Sequence, residues 1–146
     1  KEMVDVGKQV LILMPEIALT NQMISRFEKR FGFAPAIWTS SEKLSYKKQI
    51  FHDVLEGRVK ILIGARSASF LPFPNLGLII IDEEHESSYK QESGVLYNAR
   101  DMSVLRAKMC NAKLLLVSAT PSIESYNNAK NGKYILAVFT ISLVFG

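Results

Sequence analysis

The sequence contains almost no cysteine: Cys110 is the single one in 146 residues. One thiol excludes an internal disulfide framework and a cysteine-rich metal site, and it favours a reducing compartment. The amino-terminal residues also lack a charged and then apolar leader that ends at a small-residue cleavage site. We therefore expect a cytoplasmic protein.

Long hydrophobic runs are also missing. The uncharged stretch 134–146 is the most apolar part of the chain, and it is shorter than the roughly 20 residues that a helix needs to cross a bilayer. We expect no membrane partner, and we interpret this stretch as a strand followed by a frayed hydrophobic end. The predicted organisation is one domain over 1–134 and an atypical tail over 135–146.

The remaining composition is that of a folded domain. Hydrophobic residues make up 48% and charged residues 22% of the chain, which suits one compact core and argues against disorder. The formal net charge of +4 is compatible with a polyanionic partner but does not identify one.

Apolar runs and helical periodicities alternate along the chain. Runs at 9–14, 36–38, 59–63, 76–81 and 114–117 predict strands, and apolar residues at helical spacing predict helices over about 17–31, 41–57, 99–109 and 120–130. Strands that alternate with helices through short connections predict an α/β fold, a parallel sheet flanked by helices.

Three details complete this prediction. Met102, Leu105 and Met109 are expected to face inward from the third of these helices. Thr120 is expected to cap the last helix, with a proline at its first position. The stretch 89–98 lacks periodicity and is interpreted as a loop.

The most informative motif is Asp82-Glu83-Glu84-His85, directly after an apolar strand. In open α/β sheets, ligands bind beyond the carboxyl ends of the strands, so a carboxylate at this position points towards a ligand. One aspartate can bind the hydration shell of Mg²⁺ and the next carboxylate can orient a water, which is the layout of a Walker B motif. The alternative is that Asp82 caps a following helix, with both glutamates in its first turn.

A second motif, Ser118-Ala119-Thr120-Pro121, follows the next predicted strand. Its hydroxyls lie beside Asp82 if the two strands are neighbours, and they could then hydrogen-bond the acidic cluster. Taken alone, the motif is an ordinary helix-entry signal.

Two further segments follow predicted strands, Pro15-Glu16-Ile17-Ala18-Leu19-Thr20-Asn21-Gln22 and Gly64-Ala65-Arg66-Ser67-Ala68. In order and spacing, the four motifs resemble motifs Ia, Ib, II and III of superfamily 2 helicases, and within them the replication-restart DNA helicases of the primosome. The resemblance covers roughly residues 6–134 and implies a partial RecA-like motor domain of the P-loop NTPase type.

The resemblance also implies roles for individual residues. Asp82 is expected to bind Mg²⁺, Glu83 to act on the hydrolytic water, and His85 to couple the nucleotide to the DNA-facing surface. ATP is expected to lie near Asp82, Glu84, Ser118 and Thr120. The expected contacts to single-stranded or forked DNA are Pro15, Glu16, Thr20, Gly64, Arg66, Ser67, Tyr89, Tyr97 and Arg100.

Elementary chemistry supports part of this DNA-binding set. Arg66 and the backbone amides that follow Gly64 and Pro15 could hold phosphates. Tyr89 and Tyr97, which fall where the family has an aromatic-rich loop, could stack on bases. The alternatives are a solvated surface arginine and tyrosines that only pack the loop onto the domain. His52 is expected to be structural or exposed.

The sequence also departs from the family. It contains no Gly-x-x-Gly-x-Gly-Lys-Thr phosphate loop, whose amides and lysine cradle the nucleotide phosphates, so we expect this chain alone not to hydrolyse ATP. The second motor domain with its arginine finger, the zinc-binding module and the amino-terminal DNA-binding domain of the family have no counterpart in it. Thr39-Ser40 replaces a common His-Ser, and Leu96 and Asn98 replace basic or aromatic residues. The uncharged tail led us to expect a frameshift or a truncated reading frame.

The hypothesis favoured by these observations is a fragment of an ATP-dependent 3′-to-5′ DNA helicase that acts in replication restart and primosome assembly. Its expected partners are DNA, other primosome components and single-strand-binding protein. The alternatives are a non-enzymatic remnant that binds DNA or the primosome, and a motor domain of another superfamily 2 translocase.

Overall fold

A computed structural model describes residues 1–138. The strands are β1 (Gln9–Leu13), β2 (Ala36–Trp38), β3 (Ile61–Gly64), β4 (Leu76–Ile81), β5 (Lys90–Gln91), β6 (Tyr97–Asn98) and β7 (Lys113–Leu116). The helices are α1 (Glu2–Asp5), α2 (Asn21–Phe31), α3 (Leu44–Leu55), α4 (Ala99–Met109) and α5 (Ile123–Lys130).

Five strands form one parallel sheet in the order β2-β3-β1-β4-β7. Ile81 at the end of β4 pairs with Leu13 of β1 on one side and with Leu116 of β7 on the other. Three strands therefore end level with one another, and the residues that follow them meet at one edge of the sheet. The predicted α/β architecture is confirmed.

Alternation along the buried strands produces two apolar layers. Leu11 and Leu13 of β1 face the layer that contains α3 and α4, whereas Val10 and Ile12 face the layer that contains α2. Because β1 and β3 are covered on both faces, they consist of continuous apolar runs apart from the ends. Packing on both faces therefore fixes the position along the sheet at which these strands end.

Three helices, α2, α3 and α5, begin later than the sequence predicts. A 3₁₀ turn at Glu16–Ala18 precedes α2, and Thr20 caps that helix by accepting a hydrogen bond from the Met23 amide at 3.3 Å. Helix α5 is capped by Ser122, not by the predicted Thr120. The caps of α2 and α5, Thr20 and Ser122, are both small hydroxyl residues with an extended backbone.

The predicted inward face of α4 is wrong. Met102, Leu105 and Met109 are exposed, at 36%, 51% and 77%. The buried face carries Ala99, Ser103 and Ala107, because small side chains let this helix approach the 3₁₀ turn at Arg66–Phe70 and the sheet closely. Periodicity identified the helix but not the side that packs.

The loop predicted over 89–98 contains structure of its own. Lys90 and Gln91 pair with Asn98 and Tyr97 in the two-stranded antiparallel sheet of β5 and β6. The segment is too short and too polar to show strand periodicity in the sequence. It forms a hairpin that stands beside the carboxyl edge of the large sheet.

The carboxy-terminal segment differs from its prediction as well. Residues 135–138 form no strand, and the prediction for the rest of the tail lies outside the described residues. Within residues 1–138, none of the helices combines the length and the apolar character that a membrane span requires.

The orientation of α4 can be tested by a pair of substitutions on its last turn. We expect Ala107→Lys to lower the free energy of unfolding by about 3 kcal/mol, because it buries an unpaired charge. Met109→Lys should change it by less than about 0.5 kcal/mol, because this side chain is exposed. Urea unfolding followed by circular dichroism measures both, and equal losses would contradict the orientation described above.

Candidate functional site

The acidic motif forms a tight loop at the carboxyl end of β4. The Asp82 amide donates to the Leu13 carbonyl at 2.9 Å, and the Glu84 amide donates to the Val117 carbonyl at 3.0 Å. Between them, Glu83 has a left-handed backbone with φ of 48°. This reversal lets successive carboxylates point in different directions, since an extended chain would place Asp82 and Glu84 on the same side.

Three residues of the motif face the edge of the sheet. Asp82 and Glu83 are half-buried, and the His85 Nδ1 atom lies 2.6 Å from the Ser118 hydroxyl and 3.5 Å from a Glu83 carboxylate oxygen. The Ser118 hydroxyl also accepts a hydrogen bond from the Thr120 amide at 3.0 Å. The two predicted motifs therefore meet, because β4 and β7 are neighbours in the sheet.

Glu84 does not belong to this outward-facing group, and its predicted contact with a nucleotide is wrong. The residue is 3% exposed. Its carboxylate accepts hydrogen bonds from the Ser122 amide at 2.6 Å, from the Ser122 and Ser125 hydroxyls at 3.0 Å each, and from Arg100 Nη1 at 3.3 Å. These donors surround the carboxylate, so its role is to connect parts of the protein and not to bind a ligand.

The environment of Glu84 stabilises its charged form. Burial by itself raises the pKa of this carboxyl, but the hydrogen bonds from Ser122, Ser125 and Arg100 outweigh it and hold the pKa below the ordinary value of 4.5. The charge is paired inside the protein by Arg100, whose side chain is 11% exposed.

A polar cleft of about 470 Å³ lies at the same edge of the sheet, towards β2 and β3. It is lined by Met14, Pro15, Glu16, Ser40, Lys47, Ala65, Arg66, Ser67, Ser88, Tyr89, Gln91 and Tyr97. Segments that are far apart in sequence meet here: some follow the ends of β1, β2 and β3, and the others are α3, the hairpin and the turn before it. Several predicted DNA contacts, Pro15, Glu16, Arg66, Ser67 and Tyr97, are thus brought together.

Sequence reasoning missed four polar residues of the cleft, Ser40, Lys47, Ser88 and Gln91. Ser40 donates from its amide and its hydroxyl to one Glu16 oxygen, at 2.8 and 2.6 Å, and this lowers the pKa of Glu16. Ser40 comes just after β2, so the rule that strand ends share an edge could have found it. Lys47 lies on α3 and no pattern in the sequence singles it out. Its ammonium group is 5.6 Å from the centre of the Trp38 ring.

Burial contradicts two of the predicted contacts to DNA, those of Tyr89 and Arg100. Tyr89 is 1% exposed, so its ring packs in the core and cannot stack on a base. Arg100 is held by Glu84, by Asp101 at 3.0 Å and by the Ser122 hydroxyl at 2.8 Å, so it is an internal ion-pair partner.

The remaining two DNA predictions, Thr20 and Gly64, have structural roles. Thr20 is the cap of α2. A Cβ atom on Gly64 would lie 2.7 Å from Ala68 Cβ and 2.7 Å from the Trp38 carbonyl oxygen, so only glycine fits there. Contacts from their backbones to DNA stay predictions. His52 is exposed on α3.

The donor set at the acidic loop fits a magnesium ion that is shared with a ligand. Among residues 1–138, no cluster of three or more His, Cys, Asp or Glu side chains is arranged to hold a metal. Asp82 is therefore a single carboxylate donor. Mg²⁺ suits such a site, since it keeps several waters and is usually held by one or two carboxylates together with phosphates.

The role of Glu84 predicts a pH-dependent loss of stability on substitution. Its folded pKa is lowered, so its stabilisation is complete above the unfolded pKa and is lost as the pH falls through the folded value. At pH 7 we expect Glu84→Gln to lower the free energy of unfolding by about 2 kcal/mol, and the difference from wild type to shrink below about pH 4. Glu28→Gln, on the exposed face of α2, is the control. Equal losses for both variants in urea unfolding would contradict this role.

The chain is similar to known proteins in both sequence and structure. The family described as DEAD/DEAH box helicase matches residues 2–129. The chain is 57% identical over 130 residues to the replication restart protein PriA of Rickettsia conorii, with 89% of this chain and 20% of that protein covered. The PriA proteins of Chlamydia pneumoniae and Bacillus subtilis are 50% identical over 132 residues and 46% over 130, with 90% and 89% of this chain and 18% and 16% of those proteins covered.

A solved structure with the same fold is the carboxy-terminal domain of Dbp5 from S. cerevisiae bound to Gle1 and IP6. Its TM-score is 0.57 at 14% identity, and the match covers 91% of this chain and 76% of that one. The chain spans about a fifth of the length of the R. conorii relative. On the family match, which includes both the acidic loop and the polar cleft, the chain belongs to the DEAD/DEAH box helicases.

Proposed function

We propose that this chain forms part of the motor of an ATP-dependent DNA helicase that acts in replication restart. One observation carries the proposal: Asp82, Glu83 and His85 follow the end of β4, and His85 contacts Ser118, which follows the end of the neighbouring β7, at 2.6 Å. An arrangement of this kind supports a site in which one carboxylate would bind a metal ion, a second would act on a water, and a hydrogen-bonded histidine would act as a relay. The similarity to PriA proteins supports the process.

At the nucleotide side, each outward-facing residue has a separate task. Asp82 would hold Mg²⁺ through its waters, and Glu83, whose side chain is 45% exposed, would orient and deprotonate the attacking water. When bound, Mg²⁺ neutralises charge that develops on the phosphates. His85 lies between Glu83 and Ser118, so it would transmit structural changes at the nucleotide side to the loop after β7.

At the DNA side, the cleft would hold the backbone of a single strand. Lys47 and Arg66 supply positive charge, Ser67 supplies a hydroxyl, and Tyr97 supplies an aromatic ring at the rim. Such contacts carry little sequence information, as unwinding of any sequence requires. The 3′-to-5′ direction, forked DNA as substrate, and other primosome components and single-strand-binding protein as partners are proposed from the family resemblance.

The proposal predicts that the 146-residue chain does not hydrolyse ATP by itself, because it contains no Gly-x-x-Gly-x-Gly-Lys-Thr sequence. A coupled assay with Mg²⁺ and a thymidine oligonucleotide measures this. Turnover by the purified chain that Glu83→Gln abolishes would contradict this part of the proposal.

The helicase itself is tested in the R. conorii relative with this chain in place of its 130 matching residues. We expect strand separation of a 3′-tailed duplex with ATP, and a decrease of about 100-fold or more in ATP turnover for Glu83→Gln, because a positioned proton acceptor is lost. Glu28→Gln is the matched control. A Glu83→Gln protein with the turnover of the control would contradict the proposed role of Glu83.

A second candidate function, a DNA-binding module without enzyme activity, is favoured by the cleft alone. Binding of a labelled 20-nucleotide thymidine strand to the chain, followed by fluorescence anisotropy, should weaken steeply with salt. Lys47→Gln should reduce the slope of log affinity against log salt by about one, whereas Lys113→Gln, at the opposite end of the sheet, should leave it unchanged. Undetectable binding at low salt would contradict both this second candidate function and the proposed binding of DNA in the cleft.

A further inference from the structure

The polar cleft contains an acidic side chain among its basic and hydroxyl groups. Of the residues that line it, only Glu16 is a carboxylic acid, whereas Lys47 and Arg66 are cationic. Glu16 lies in the 3₁₀ turn after β1, and it is exposed. A carboxylate repels a phosphate, so its presence in a cleft with two cations calls for a physical reason.

The contacts of Glu16 are those of a bound anion. Its Oε1 atom accepts a hydrogen bond from the Ser40 amide at 2.8 Å and another from the Ser40 hydroxyl at 2.6 Å. Backbone amides and serine hydroxyls are also the donors that proteins commonly offer to the phosphate oxygens of nucleic acids. The carboxylate of Glu16 therefore occupies a pair of donors that suits a phosphate.

Positive charge lies close to the same carboxylate. The ammonium group of Lys47 is tied to this region, since its Nζ atom donates to the Ser40 carbonyl at 3.4 Å. The hydrogen bond from the Ser40 hydroxyl contributes most to lowering the pKa of Glu16, and the charges of Lys47 and Arg66 lower it further, against a smaller effect of burial. Glu16 is thus ionised at neutral pH, and its charge offsets part of the positive charge of the cleft.

We propose that Glu16 limits the affinity of the cleft for nucleic acid, because its carboxylate holds the Ser40 donors that a backbone phosphate would otherwise bind. The inference rests on the proposed function for the nature of the ligand. A phosphate at this position must displace the carboxylate, or bind beside a like charge without the Ser40 donors. Either route weakens binding and eases release, which suits a protein that moves along its ligand. In this role Glu16 competes with DNA, unlike the contact to DNA that the sequence predicts.

Two substitutions separate this role from a purely structural one. Glu16→Gln removes the negative charge, but its amide oxygen can still accept both hydrogen bonds from Ser40. Glu16→Ala removes the charge and the acceptor together. Glu28→Gln is the matched control, because it makes the same change of net charge at an exposed position of α2 that does not line the cleft.

The first measurement uses inorganic phosphate and no nucleic acid. The ¹⁵N-labelled chain is titrated with phosphate at constant ionic strength, and the Ser40 amide resonance is followed. We expect the half-saturating concentration to be lower by about fivefold or more in Glu16→Ala than in wild type and in Glu28→Gln, because the Ser40 donors are free. An equal or higher concentration in Glu16→Ala would overturn the inference, as would a Ser40 amide that does not respond to phosphate in that variant.

The second measurement uses a labelled 20-nucleotide thymidine strand and fluorescence anisotropy. Glu16→Gln should bind the strand about threefold or more tightly than wild type, and the slope of log affinity against log salt should become steeper by up to about one. Glu28→Gln should stay within about twofold of wild type, because its charge is not at the binding surface. Unchanged or weaker binding by Glu16→Gln would show that the carboxylate does not compete with the strand, and it would leave the proposed DNA site intact.

The two measurements distinguish failure of this inference from failure of the proposed function. If neither wild type nor any variant binds the thymidine strand, the proposed binding of DNA in the cleft is contradicted. The phosphate titration then still decides whether Glu16 competes with an anion for the Ser40 donors.

Discussion

The buried carboxylate of Glu84 is the interaction on which the arrangement of the site depends. An ionised carboxyl that is 3% exposed is unfavourable unless donors surround it, and here they come from the start of α4 and from the start of α5. Glu84 directly follows Asp82 and Glu83 in the chain. Satisfying its charge therefore fixes the acidic loop, Arg100 and the segment that follows Ser118 in a single relative position.

As a consequence, the surface of the acidic loop and the polar cleft lie at the same rigid edge of the sheet. The outward carboxylates lie at the ends of β4 and β7, and the polar cleft lies at the ends of β1, β2 and β3. Tyr89 and Arg66 bridge them from the side of the hairpin, and Glu84 and Arg100 bridge the acidic loop to α4 and α5. The proposed function, in which nucleotide hydrolysis drives movement along a nucleic acid, requires such connections. The rest of the machinery is proposed, since the chain spans about a fifth of the R. conorii relative.

The sequence predicted the structure best where a strand is buried on both faces of the sheet. The apolar run at 76–81 favoured a central strand, which the structure confirms, and the carboxylate one residue beyond it was predicted at the carboxyl edge of the sheet, where Asp82 lies. The sequence was least informative where a polar group is buried, because Glu84 and Glu83 look alike in a string of acids. Only the left-handed backbone of Glu83 and the hydroxyls of Ser122 and Ser125 separate them.

Tyr89 and α4 show the same limit. An aromatic residue in a polar segment suggests a stacking platform, yet the ring of Tyr89 is buried in the main hydrophobic core. The large apolar residues of α4 suggest its packing face, yet its small residues allow the closer approach. Periodicity reports where apolar side chains recur, and it does not report which neighbour covers them.

The central claim is that Glu84 is ionised inside the protein and gathers its donors for that reason. The most direct measurement is a site-resolved ¹³C NMR titration of the Glu84 carboxyl in the folded chain, with the chain unfolded in urea as reference. We predict a folded pKa below the ordinary value of 4.5 and below that of the unfolded chain. A folded pKa at or above the unfolded one would mean that the hydrogen bonds do not outweigh burial and that the ionised carboxylate does not organise the site.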